Sequence, residues 1–326
     1  MKTVVGVLRG GPSSEYEVSL KSGANVLSSL NREKFDPRDI FIDRQGVWHV
    51  HGAPVTPEQA LRGVDVLYNI IHGEYGEDGQ LHTILDSFSV PYVGSNMSAS
   101  MLAFDKARTK QEIKKIGIKT PRALLIKEGD VGSDTEAFAL DLFRSFPHPA
   151  IVKPAIGGSS VGITKVEHYH ALPFALERAF AISPSVLVEE YIKGREATVG
   201  VVDNFRNEKT YALMPVEIIP PPTHAFFDYE AKYSGRSTER VPGNFSDAVK
   251  QELMDAAKRA HEYLGVSHYS RSDFIVSPRG VYFLELNNPS AVGMTSESLF
   301  PKAIEAVGLK LPDFLEHVIL LARAGK

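Results

Sequence analysis

The segment Arg271–Asn287 (RSDFIVSPRGVYFLELN) restricts the fold of this chain more than any other. Two apolar runs flank Pro278-Arg279-Gly280. Proline suits the first turn position and glycine the left-handed one, so the pattern predicts a hairpin with a three-residue loop and a bulge. That loop pairs Ser277 with Val281, Ile275 with Phe283, Asp273 with Glu285, and Arg271 with Asn287. Strand side chains alternate between faces. The polar groups therefore share one face in adjacent rows, while Phe274, Val276, Tyr282, Leu284 and Leu286 point to the core. Two carboxylates directly opposite each other repel, and a divalent cation removes that repulsion. Oxygen ligands without His or Cys suit magnesium shared with substrate phosphates. The same residues also fit a salt-bridged pair, such as Arg271 with Glu285, on a solvated sheet face.

Magnesium and phosphates call for a phosphate-binding loop upstream. Lys153–Gly162 (KPAIGGSSVG) follows a predicted strand, Ala150–Lys153, and is rich in glycine and serine. Backbone N–H groups in such a loop can cradle phosphate oxygens. It is not a Walker A loop, because the Gly-Lys-Ser/Thr ending is missing and Val161–Val166 reads as a strand. A hairpin closing over ATP and an ordinary Gly-Ser turn both fit. Val186–Glu196 (VLVEEYIKGRE) reads as a strand, Ser185–Glu190, leaving a domain before a turn at Gly194. Backbone groups at Glu190, Tyr191 and Ile192 suit an adenine edge, and Glu196 suits ribose hydroxyls. Strand-end acids are equally at home in solvent.

The first ~95 residues alternate strands (Val4–Leu8, Val64–Ile71) with helices (Val18–Leu30, capped at Ser14, and Leu81–Phe88), which predicts a parallel sheet with crossover helices. Ligands bind at the carboxyl ends of such strands. Both Gly-rich loops there, Gly10–Ser19 (GGPSSEYEVS) and His72–Gly79 (HGEYGEDG), follow strands directly. A helix over 98–116 stops at Gly117, with Pro121 just beyond. A further strand opens at Glu196–Val202. Residues 220–242 form a long aperiodic stretch with Phe226, Phe227, Tyr229 and Tyr233, read as a lid.

These pieces, in this order, resemble the ATP-grasp fold, and the finer motifs resemble D-alanine–D-alanine ligases over nearly the whole chain. Besides the two N-terminal loops, they are Asp105-Lys106, Gly158–Gly162 (GSSVG), Asp228–Tyr233 (DYEAKY) and Gly293–Ser296 (GMTS). The resemblance implies an α/β protein (α+β in the ATP-grasp part) of three domains. These are an N-terminal Rossmann-like parallel-sheet domain (1–97), a central domain (98–192) and a C-terminal domain (193–326) with the metal site and the 220–242 lid.

It further implies two magnesium ions, or manganese in their place. Asp273 and Glu285 hold one ion, and Glu285 and Asn287 the other. Lys106, Lys153, Ser160 and Lys232 serve the ATP phosphates. Glu189, Glu190, Tyr191, Ile192, Glu196, Phe226 and Ile275 serve the rest of the nucleotide. Glu15 binds the ammonium of the first D-alanine, although a glutamate in a first helical turn is favourable in its own right. Ser14 and Glu17 fit a capping box and receive no catalytic role. His72 hydrogen-bonds the intermediate or the incoming amino acid. Ser159 and Tyr233 join the central domain to the lid, Arg271 and the Gly293 N–H stabilise developing negative charge, and Ser296 and Ser298 receive the second substrate. The implied reaction passes the γ-phosphoryl to one D-alanine carboxylate, and a second D-alanine then displaces phosphate. Phosphoryl transfer of this kind rests on positioning and charge neutralisation.

One departure stands out. Relatives place three residues between the metal-binding asparagine and the glycine; here five separate Asn287 from Gly293. That leaves room for an ATP-grasp ligase joining a different amino acid pair, or for a nucleotide-binding protein without ligase activity.

Composition bounds the setting. The apolar and charged fractions, 43% and 23%, are those of a globular protein. A net charge of −4 gives no reason to expect nucleic acid or an anionic membrane as partner. Zero cysteines exclude disulfides and thiolate chemistry and suit a reducing cytosol. No run approaches the ~18 apolar residues of a membrane span. A cytoplasmic enzyme is expected, a homodimer by resemblance.

Overall fold

The computed structural model describes residues 1–158, 161–220 and 238–325. Three sheets organise them. The first has strand order β4-β3-β2-β1-β5-β6, with β1 (Thr3–Gly10), β2 (Phe35–Ile42), β3 (Trp48–Val50), β4 (Ala53–Val55), β5 (Val66–Asn69) and β6 (Tyr92–Val93). Around it lie α1 (Tyr16–Ser29), α2 (Pro57–Leu61) and α3 (Gln80–Phe88), followed by α4 (Met97–Phe104) and α5 (Lys106–Lys115). β1 pairs parallel with both β2 and β5, and β5 with β6, whereas β3 and β4 add an antiparallel edge. The expected parallel sheet is thus present with an antiparallel margin.

α1 begins at Tyr16, after Glu15, and has no side-chain cap. Ser14 therefore does not cap it, and the capping box with Glu17 does not form. Ser13 does the local work instead. Its hydroxyl donates to the His72 carbonyl (2.7 Å) and accepts from the Glu15 N–H (3.2 Å), which ties the loop after β1 to the loop after β5.

The helix expected over 98–116 is broken in two. Asp105 ends α4 and caps α5, its carboxylate accepting from the Arg108 N–H at 3.0 Å. The Lys106 N–H turns away to the Ala155 carbonyl (3.0 Å). A short polar side chain that competes for backbone N–H groups favours such a restart.

The central sheet runs β7-β10-β8-β9, all antiparallel. It comprises β7 (Ala123–Lys127), β8 (Ala150–Pro154), β9 (Thr164–Val166) and β10 (Ser185–Glu190), covered by α6 (Thr135–Ser145) and α7 (Leu172–Phe180). The third sheet runs β14-β13-β11-β15-β16, with β12 paired to β11. Its strands are β11 (Arg195–Phe205), β12 (Glu208–Ala212), β13 (Val216–Ile219), β14 (Thr238–Arg240), β15 (Tyr269–Ser277) and β16 (Gly280–Asn287). α8 (Asp247–Tyr263), α9 (Leu299–Ala306) and α10 (Leu311–Arg323) complete the chain. Ala103, Ile113 and Ile118 share one core with Phe274 and Phe283, so α4 and α5 pack on the third sheet. Phe314 and Val318 of α10 share another with Val5 and Tyr68 of the first sheet.

The β15–β16 hairpin differs from its expected register. Ser277 pairs with Gly280, Val276 with Val281, Ile275 with Tyr282 and Phe274 with Phe283. The turn is thus two residues, Pro278-Arg279, with Gly280 in the left-handed region (φ +115°). The extra residue sits instead at Leu284, opposite the Asp273/Phe274 step, and the register then resumes with Asp273–Glu285 and Arg271–Asn287. A bulge inserts one residue and re-aims the side chains on either side of it. Consequently Val281 and Phe283 face the core with Phe274 and Leu286, while Tyr282 and Leu284 remain half-buried. The Phe274 and Phe283 rings meet edge-on at 5.7 Å.

This register predicts unequal costs along β16. Phe283→Ala should lose about 3–5 kcal/mol in denaturant unfolding, against about 1 kcal/mol for Tyr282→Ala. Equal losses, or the reverse order, would restore the three-residue loop.

Candidate active site

The three sheets enclose a cleft of about 920 Å³. Its first wall is built by the loops at the carboxyl ends of β1 and β5, which present Glu15 and His72. The second comes from β8 and β10 through Lys153, Glu189, Glu190, Tyr191 and Ile192. The third is the bulged hairpin with Arg271, Asp273, Ile275, Glu285 and Asn287, together with Glu196 of β11 and the loop carrying Gly293 and Ser298. Lys106 stands behind the wall, its ammonium 4.0 Å from the Glu285 carboxylate and donating to the Gly157 carbonyl. Ser296 is exposed and does not line the cleft; Thr295, Glu297 and Ser298 do. Ser159, Ser160, Phe226, Lys232 and Tyr233 lie outside the described residues.

On the hairpin, Asp273 is held by four donors. Arg271 forks onto it through Nε (3.0 Å) and Nη2 (2.9 Å), the Thr198 hydroxyl donates at 2.6 Å, and Asn287 Nδ2 donates at 3.1 Å. Thr198 sits directly across from Asp273 on β11. The Asn287 amide also donates to the Arg271 carbonyl at 3.4 Å, which leaves its Oδ1 as an acceptor.

At the second wall, Glu189 is buried between two lysines. Lys110 lies 3.0 Å from one carboxylate oxygen and Lys153 2.8 Å from the other. Burial raises the pKa of Glu189, but the two lysines outweigh it and hold the carboxyl below its usual range. Burial pushes Lys110 down to about 8, against the pull of Glu189. Each Glu189 carboxylate oxygen thus meets one lysine and keeps lone pairs for a further donor. Along the same stretch the Glu190 N–H donates to the Arg122 carbonyl (2.8 Å) and the Tyr191 N–H to the Pro149 carbonyl (3.0 Å). The Ile192 N–H has no backbone partner among the described residues. Ile151, Ile192, Ile218 and Ile275 supply apolar walls around it. Gly194 allows this close approach, since a Cβ there would sit 2.5 Å from Ile275.

At the first wall, His72, Glu77 and Glu15 bring their polar atoms within 4.8 Å of one another. His72 and Glu77 are buried and Glu15 half-buried. Burial, followed by the nearby charge of Glu15, raises the Glu77 pKa well above the carboxylate range. The Glu77 carboxyl accepts from the Gly73 N–H at 2.6 Å, pinning the loop. His72 is pushed down to about 4 by burial and then by the positive charge of Arg271, and its Nε2 has no partner among the described residues.

Glu77, Thr198 and Lys110 were not singled out by the sequence. Glu77 lies inside a quoted motif, and Lys110 is one helical turn after Lys106, a spacing that puts both on one face. Thr198 gives no local signal, because only strand pairing brings it to Asp273.

Family models agree with this arrangement. The D-ala D-ala ligase C-terminus matches residues 113–320, and the D-ala D-ala ligase N-terminus matches 4–60 and 49–95. The D-alanine–D-alanine ligase of Geobacter sulfurreducens is 34% identical over 98% of this chain and 94% of its own length. The chain belongs to the D-alanine–D-alanine ligase family. The Dechloromonas aromatica member is 37% identical, covering 98% of this chain and 97% of its own. Among solved structures, the VanG D-Ala:D-Ser ligase from Enterococcus faecalis superposes with a TM-score of 0.84 at 29% identity, over 99% of this chain and all of its own. The Coxiella burnetii D-alanine-D-alanine ligase gives 0.83 at 27%, over 99% and 94%. The fold is accordingly the three-domain ATP-grasp fold.

Membership in this ligase family implies ATP and a divalent metal. The donor set fits a hard cation. Asp273 and Glu285 are in register, Asn287 is joined to Asp273 through Nδ2 with Oδ1 left as an acceptor, and Arg271 and Lys106 supply positive charge beside them.

The His72 environment is testable by NMR. Its pKa lies below that of an unfolded histidine, so the neutral form stabilises the fold above about pH 6.5, and that stability is lost as pH falls towards 4. The His72 ring resonance should titrate with a midpoint near 4. A midpoint at 6 or higher would mean that the ring is solvated.

Proposed function

We propose that the chain uses ATP to join two D-alanines into D-alanyl-D-alanine through an acylphosphate, for peptidoglycan precursor synthesis. The observation that carries this reading is the convergence of three chemistries on one cleft. Glu15 and His72 suit an amino acid, Lys153 beside Glu189 suits phosphates, and Asp273, Glu285 and Asn287 suit a hard cation, all lining the same cleft. Names of relatives identical at 32–37% over nearly the full chain point the same way.

Magnesium, or manganese in its place, would be held by Asp273, Glu285 and Asn287, and supplies neutralisation of phosphate charge. The chain's own groups do the rest. Glu15 draws the ammonium of the first D-alanine and thereby aims its carboxylate along the cleft. Lys153 fixes the phosphates from the cleft wall and Lys106 adds positive charge from behind it, so the carboxylate oxygen attacks the γ-phosphorus as ADP leaves. The amine of the second D-alanine then attacks the acyl carbon and phosphate departs. Arg271 and the Gly293 N–H oppose the charge that develops on the tetrahedral oxygen, and neutral His72 can accept a hydrogen bond from the incoming amine. Ser159, Ser160, Phe226, Lys232 and Tyr233 keep their family roles in this reading.

Three sheets support the division 1–97, 98–192 and 193–326, with α4 and α5 lent to the third. The reading includes a cytoplasmic location and a homodimer formed through the first domain. Sedimentation at single-chain mass would remove the dimer.

A second reading, ligation of D-alanine to a different acceptor, is favoured by the two extra residues before Gly293 and by the likeness to a D-Ala:D-Ser ligase. Phosphate release across a panel of D- and L-amino acids decides between them. D-Alanine alone with ATP and magnesium should suffice, and turnover only when another amino acid is added would establish the second reading. In the same assay Glu285→Ala should abolish turnover, whereas near-normal rates would remove the metal assignment.

A further inference from the structure

We propose that Lys110 is a positioning residue that sets the metal ligand Glu285 and the phosphate-binding Lys153 relative to each other. This rests on the ATP and metal reading above. Lys110 lies in α5, one turn after Lys106, and is only 2% exposed. It does not line the cleft, so it is placed to act through its neighbours and not on the nucleotide.

Its ammonium makes two connections. The first is to Glu189 of β10 at 3.0 Å, whose other oxygen takes Lys153 of β8 at 2.8 Å. The second is to the carbonyl of Leu284. Leu284 is the bulged residue of β16 and directly precedes Glu285. A bulge leaves the strand ladder locally disrupted, and a part-buried carbonyl there takes a donor from elsewhere. Lys110 provides it.

One buried ammonium therefore braces two walls of the cleft. Through Glu189 it orients Lys153, and through Leu284 it holds the bulge that aims Glu285. The trio of two lysines and one glutamate keeps a net charge of +1 close to the phosphate end. A buried ammonium has three N–H donors to satisfy. This one joins the central sheet to the metal hairpin, and the reaction needs those two to meet in one geometry.

The test is binding of a non-hydrolysable ATP analogue to the full chain, titrated with magnesium and read by calorimetry beside thermal unfolding. Groups that orient metal ligands typically cost about 10–100-fold in metal affinity when removed. Lys110→Met should weaken magnesium-dependent analogue binding by that order, and Lys110→Arg, which keeps the charge, should recover part of it. The pair Lys110→Met/Glu189→Gln leaves Glu189 uncharged. It should regain thermal stability without regaining affinity. Binding within about twofold of wild type in a folded Lys110→Met or in the pair would overturn the proposal. Failure of both to fold would assign Lys110 to stability alone and overturn it equally. Wild type that does not bind the magnesium–analogue complex would instead overturn the ATP reading itself.

Discussion

Two carboxylates facing each other across a hairpin are a liability, and this structure is arranged around supporting one such pair. Asp273 and Glu285 are in register on β15 and β16. Like charges directly opposite destabilise a sheet, yet neither residue is on an open face. Arg271 forks onto Asp273, Thr198 and Asn287 donate to it, and Lys106 stands near Glu285. Removing any one donor leaves part of the repulsion unscreened. The site therefore draws on β11, α5 and both hairpin strands at once, and these elements are the ones the core packs together around Phe274 and Phe283.

The cations and anions of the cleft are distributed unevenly, and this follows from where each is desolvated. Glu189 is ionised because two lysines outweigh its burial. Glu77 has Glu15 beside it, and its pKa rises. His72 is kept neutral by burial and by Arg271. Two buried carboxyls are thus shifted in opposite directions: burial and then Glu15 raise Glu77, whereas two lysines outweigh burial at Glu189. In the proposed reading the lysines around Glu189 serve the phosphates and Glu15 serves the ammonium.

Much of this is legible in the sequence wherever spacing along one element determines geometry. The strands Val4–Leu8, Ala150–Lys153 and Ser185–Glu190 appear where their apolar patterns place them. The pairing of Asp273 with Glu285 and Arg271 with Asn287 is also correct. It is correct although the turn is shorter than expected, because the bulge moved from the loop to Leu284 and the two shifts cancel beyond it. Between turn and bulge they do not cancel, and there Tyr282 and Phe283 exchange faces. Turn length is decided by a free-energy difference that local residues set only weakly, whereas Phe283 gains a whole buried ring. Asp105 shows the opposite case: the apolar periodicity runs through it, and the helix is stopped by its cap on Arg108 together with its bridge to Ile156 and the Lys106 N–H on Ala155. Thr198 and Lys110 needed the tertiary fold, since their partners are 75 and 79 residues or more away.

The five residues after Asn287 connect the hairpin to the rest of the protein. Asn288 accepts from the Ser290 hydroxyl (2.6 Å) and the Ala291 N–H (3.3 Å), folding Pro289–Ala291 into a single 3₁₀ turn. The turn is buried, and its Pro289 carbonyl accepts from Tyr269 at 3.2 Å. Tyr269 has then used its proton, so the 2.9 Å contact with Tyr68 requires the Tyr68 hydroxyl to donate. Tyr68 belongs to the first sheet, Tyr269 opens the strand that bears Arg271 and Asp273, and Pro289 precedes Gly293. Beyond the turn, Met294 is fixed to α1 by Ser22 and Asn25. The two additional residues are therefore absorbed as a packed turn between fixed ends. Gly293 remains in the cleft wall beside Ser298. Whatever the longer connection does to the acceptor, it acts by changing the shape of a rigid wall and not by loosening it.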